Sequence, residues 1–78
     1  MEKWRKTNRG FDRAEFIDRY NQKCSIQKSS IATEDCIWLG VDINIKGEDV
    51  GERMHLTQEA VRNLLPALNH FIDTGELI

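Results

Sequence analysis

The alternation of apolar and polar positions changes period along this chain, and each change marks an element. Glu15-Phe-Ile-Asp-Arg-Tyr20 sets Phe16, Asp18 and Tyr20 on one side of an extended segment and Ile17 and Arg19 on the other, an imperfect first strand. Asn21-Gln-Lys23 supplies turn chemistry, because asparagine tolerates positive φ, and a tight hairpin leads into Cys24. Beyond it Cys24 and Ile26 alternate with Ser25, Gln27 and Ser29, the pattern of a half-buried strand with hydroxyls and an amide on its outer side. In Cys36-Ile-Trp-Leu-Gly-Val41, Ile37, Leu39 and Val41 share one side while Cys36, Trp38 and Gly40 share the other, so this strand is apolar on both. The short connection Ser30–Asp35 makes these two strands antiparallel neighbours. Trp38 then emerges beside Ser25 and Gln27, on the side facing away from the core.

Ile43 and Ile45 extend the third strand, Lys46 to Glu52 reads as an acidic loop, and Arg53-Met-His-Leu56 as a short strand or an extended approach to a helix. There the period lengthens. Val61, Leu64, Leu65, Leu68, Phe71 and Ile72 recur at the spacing of one helix face, with Thr57 as N-cap and Glu59 in the first turn. Asp73-Thr74-Gly75 stops the helix, with Gly75 placed to adopt positive φ and Leu77 to fold back on Phe71 or Ile72. Pro66 lies on the face away from Leu68 and Ile72, where the carbonyl it frees meets water, so it predicts a bend and not a break.

Together these elements predict an α+β fold: a small antiparallel three- to four-stranded sheet with one C-terminal amphipathic helix packed on one face, over Ile37 and Leu39. Residues 13–78 form the single domain, and residues 1–12 a flexible basic arm carrying Lys3, Arg5, Lys6 and Arg9 and anchored by Trp4. One helix covers one face only. The Trp38 face stays open, and the thin core of so short a chain favours association, so a homo-oligomer (dimer or larger) with Trp38 near its interface is expected.

Composition narrows the chemistry. The net charge of −2 disfavours nucleic acid as a partner. Cys24 and Cys36 sit on different strands and read as reduced, buried thiols of a cytoplasmic protein. His55 and His70 fall on separate elements without zinc spacing, and the acids Asp42, Glu48, Asp49 and Glu52 lack the calcium-loop pattern, so neither metal nor cofactor is expected. No apolar run approaches the ~20 residues that span a membrane. No G-x-S-x-G, H-E-x-x-H or P-loop occurs, and Ser25, Ser29 and Ser30 have no histidine nearby in the chain; His55 and His70 reach them only by folding. The expectation is a binding protein, not an enzyme.

Phe16, Asp18-Arg-Tyr20, Cys24-Ser-Ile-Gln27, Ser29-Ser30, Ile37-Trp-Leu-Gly40, Arg53-Met-His-Leu-Thr57, Leu64-Leu-Pro66, Leu68, Phe71 and Thr74-Gly-Glu-Leu77 together resemble a family of small bacteriophage and prophage proteins. The resemblance runs from about residue 15 to residue 78, and the segment between the Trp-Leu-Gly and Met-His-Leu-Thr motifs is shorter here than in many members. It implies a viral accessory protein in the cytoplasm of a host bacterium and supplies no catalytic residues. Two roles follow. One is stoichiometric inhibition of a host defence protein, an anti-CRISPR-like role, through Trp4, Tyr20, Arg19 and the acidic loop, with Arg5 and Arg9 available on the arm. The other is an oligomeric sponge that sequesters a nucleotide second messenger of bacterial immunity, through Trp38, Ser25, Gln27, Ser29, Lys28 and Arg53. The scarcity of cations outside the arm favours the first. A small nucleic-acid-binding regulator is a further alternative, weakened by the lack of a helix-turn-helix pair.

Overall fold

Three hairpin turns are closed by the same local device, a short polar side chain that accepts backbone N–H bonds across the turn. Thr7 Oγ1 accepts from Phe11; Asp18 Oδ1 accepts from Tyr20 and Gln22; Asn44 Oδ1 accepts from Lys46 and Glu48. Each turn also has its positive-φ residue, respectively Gly10, Asn21 and Gly47. Linked this way, the chain folds as a meander. The computed structural model describes residues 3–78 and contains β1 (Arg5–Lys6), β2 (Asp12–Ile17), β3 (Lys23–Lys28), β4 (Cys36–Ile43), β5 (Asp49–Thr57) and α1 (Gln58–Thr74). Met1 and Glu2 of the expected arm lie outside the described residues.

The fold is α+β, with five antiparallel strands in the order β1-β2-β3-β4-β5, one or two more than the alternation predicts. The additional pairing comes from the two ends. Arg5 and Lys6, in the stretch read as an arm, pair with Arg13 and Asp12 as a short edge strand. The segment read as an acidic loop is a tight turn, after which β5 starts at Asp49 and pairs with β4 along nearly its whole length. Polar composition hid this strand: Asp49 and Glu52 break its apolar alternation and stay exposed, which an edge strand accepts.

The registers of the central strands place Ala14, Ile26, Leu39 and Met54 in one row of the apolar face, and Phe16, Cys24, Val41 and Glu52 in the next. On the opposite face Gln27 pairs with Trp38 and Ser25 with Gly40, as the alternation requires. Cys24 and Cys36 therefore sit on opposite faces, and both are free, buried thiols. Gly40 is needed where it is. With φ at 154°, a Cβ there would collide with the carbonyl oxygen of Glu52 and stand 2.8 Å from Arg53 Cα.

Helix α1 runs unbroken through Pro66, capped by Thr57 Oγ1, which accepts from Ala60 N–H at 3.0 Å, and closed by Gly75 at φ 77°, whose N–H donates to Phe71. Its placement differs from expectation. Thr57 both pairs with Cys36 at the end of β5 and caps the helix, so no linker lets α1 turn back over the sheet. Val61 and Leu65 meet Ile37 and Leu56 around an open hollow of about 490 Å³, and no helix residue is buried. Ile37 and Leu39 are thus not covered as a packed helix would cover them. Leu77 does come back beside Leu68 and Phe71, yet stays exposed.

Candidate functional site

Because side chains alternate across a sheet, the polar members of the central strands collect on the face opposite the apolar one. One row across all five strands reads Arg5, Arg13, Gln27, Trp38, His55; the next reads Glu15, Ser25, Gly40, Arg53. Of the residues expected at a ligand face, Ser25, Gln27, Ser29, Trp38 and Arg53 come together here, and Arg5 joins their row from β1. The others do not. Lys28 points to the apolar side, where it pairs with Asp35 at 2.9 Å. Arg19 and Tyr20 lie in the β2–β3 turn, Arg9 lies in the β1–β2 turn, and Trp4 precedes β1; all four are exposed.

Trp38 is the centre of the cluster. The His55 imidazole lies on it, ring centroids 3.9 Å apart and planes 11° from parallel, and Arg53 Cζ stands 5.4 Å from the Trp38 centroid, within cation–π range. His55 Nε2 shares a hydrogen bond of 2.9 Å with Ser29 Oγ. Ser29 is buried, and its Oγ also accepts from Ile31 N–H, so the pair holds the imidazole flat against Trp38.

The two arginines are held differently. Arg13 donates to Gln27 Oε1 at 2.8 Å, to Asp42 Oδ2 at 2.9 Å and to Glu15 Oε2 at 3.2 Å. Burial opposes its charge, but the bonds and charges of Glu15 and Asp42 outweigh that and raise its pKa above the ordinary arginine value. Arg53 has only long contacts, 3.4 Å from Nε to Asp42 and 3.5 Å from Nη1 to Gln27, so most of its donors remain for a ligand. Asp42 reaches both guanidinium groups from an irregularity in β4, where the register shifts between Val41 and Ile43. Beside Gly40 on the same face Ser25 Oγ is wholly buried and has no hydrogen-bond partner among the described residues.

Arg13, Asp42 and His55 complete the cluster without having been expected in it. Arg13 was legible: carrying the alternation of Phe16 back to Ala14 puts Arg13 on the other face. His55 was legible once Arg53-Met-His is taken as a strand, since it alternates with Met54 onto the Trp38 side. Asp42 had no signal, because a register shift inside a strand leaves no periodic trace.

Among the described residues no group of three or more His, Cys, Asp or Glu side chains is placed to hold a metal ion, and no helix is long and apolar enough to cross a membrane. Compared with known proteins, the chain matches no family model, no curated sequence and no solved structure.

Proposed function

We infer that the chain is a non-catalytic binding module whose polar sheet face takes a nucleotide, in keeping with the sponge role that its resemblance to phage accessory proteins suggests. The observation that carries this reading is the Trp38–His55–Arg53 stack, which offers a π surface for a base beside a guanidinium with uncommitted donors for phosphate. Arg13, Gln27, Asp42 and Ser29 orient those three groups. The order of preference drawn from composition is reversed, since Arg53 keeps free donors beside Trp38 and Arg5 and Arg13 join the Trp38 row from β1 and β2. A mononucleotide or dinucleotide suits the face better than a long polyanion, because the net charge is −2.

The host-protein reading draws on a different part of the surface. Arg19 and Tyr20 share the helix-distal end of the meander with the Asn44–Glu48 turn and the acids Asp49 and Glu52 that follow it, but among the described residues no hydrogen bond or ion pair links the two tips. The test is to recover the protein from a lysate of defence-active bacteria and analyse what heating releases together with what co-purifies. A released nucleotide, with tryptophan fluorescence of a Trp4→Phe chain quenched on adding it back, supports the proposal. A stoichiometric host protein and no nucleotide overturns it.

A further inference from the structure

Two apolar surfaces of this chain lack a cover within the chain. One is the sheet face, where Phe16, Ile26 and Leu39 are half-buried and Met54 is exposed; the other is the α1 stripe, where Leu64, Leu65, Leu68 and Phe71 are 43%, 49%, 50% and 54% exposed. The protein exposes 6412 Å², whereas a compact chain of 9.1 kDa exposes about 4,900 Å². The excess, roughly 1,500 Å², is nearly double the ~800 Å² that each partner gives to an ordinary interface and lies in the range of obligate homodimers. The chain's own helix does not supply the cover, because Thr57 is at once the last paired residue of β5 and the N-cap. Folding α1 back would cost both the pairing and the cap.

We propose that two copies form an isologous dimer in which α1 of each lies across the apolar sheet face of the other. A second copy brings a bare helix for the bare sheet and a bare sheet for the bare helix, so one two-fold contact covers both surfaces in both chains. The interface is then the face opposite Trp38, and the polar cluster stays open on each protomer. The sequence alone put Trp38 near the interface; the registers and the helix position move the contact to the other side.

Light scattering on the unmodified chain gives the first reading: twice the 9.1 kDa chain mass is expected at high micromolar concentration, and the single-chain mass overturns the proposal. The second reading tests the geometry. Leu68→Cys and Leu39→Cys chains are refolded together and treated with a short bis-maleimide, the native Cys24 and Cys36 being buried. Mixed Leu68–Leu39 cross-links are expected. Cross-links only between two Leu68→Cys chains mean a helix-to-helix dimer and overturn the exchange.

Discussion

Single residues in this protein act mainly by fixing the backbone, and two of them make sharp tests. At Gly40, positive φ and the closeness of the Glu52 carbonyl leave no room for a side chain, so Gly40→Ala is expected to cost more than about 2 kcal/mol in urea unfolding. Gly10, equally at positive φ but with open space around it, should tolerate alanine better, which separates crowding from φ strain. Asp18 gives a pH test. Its side chain accepts from the Gln22 side chain first and then from the Gln22 backbone amide, with the Tyr20 amide adding less, and these bonds hold its pKa below the ordinary aspartate value although desolvation opposes them. A depressed carboxylate contributes stability that is present above the unfolded-state pKa of about 3.9 and lost as pH falls through the lower folded value. The thermal midpoint of the native chain should therefore fall more steeply than that of Asp18→Asn below about pH 4, and parallel curves would show that the turn does not depend on this charge. Cys24 and Cys36 behave in the opposite sense: burial first, then nearby acids, raise both thiols, so neither should react with a thiol reagent at neutral pH before unfolding.

At the scale of elements, local signals were reliable and long-range ones were not. The cap at Thr57, the stop at Gly75, the hairpin at Asn21 and the continuity of α1 through Pro66 all depend on residues within a turn of each other, and each was readable. So was the face that Trp38 shares with Ser25 and Gln27, because a period of two admits only two choices of face; which of the two it pairs with was not. The position of α1 was not readable, since a hydrophobic stripe states that a helix face will be covered and says nothing of what covers it. The same stripe now gives a quantitative test. On a free-standing helix, truncating half-exposed Leu68 should cost below about 1 kcal/mol, whereas under a partner's sheet it should approach the ~2–5 kcal/mol of buried leucines. The expected result for Leu68→Ala is the larger loss, with an unfolding midpoint that rises with protein concentration, and for Asn69→Ala a change within about 0.5 kcal/mol.

For the whole molecule, the arrangement predicts that ligand capture and self-association separate cleanly, although they meet on neighbouring residues of one strand. Arg53, Met54 and His55 follow each other on β5, so Arg53 and His55 share the Trp38 face while Met54 stands on the apolar one. Arg53→Ala removes the guanidinium with free donors but leaves the apolar face unchanged. It should weaken nucleotide binding by roughly 10- to 100-fold, the scale of hydrogen bonds to a charged group, at unchanged mass and unfolding midpoint. Met54→Arg sets a charge into the surface that the partner's helix would cover. It should shift the mass toward the single chain, while any protein that stays folded keeps its Trp38 fluorescence response to the nucleotide. Loss of both properties in both variants would mean that the two faces act as one site, with the ligand held between protomers. A dimer that ignored Met54→Arg would place its contact elsewhere on the molecule. The two-sided result is expected because an antiparallel strand gives consecutive side chains opposite surroundings, and here one surrounding is polar, charged and aromatic and the other apolar.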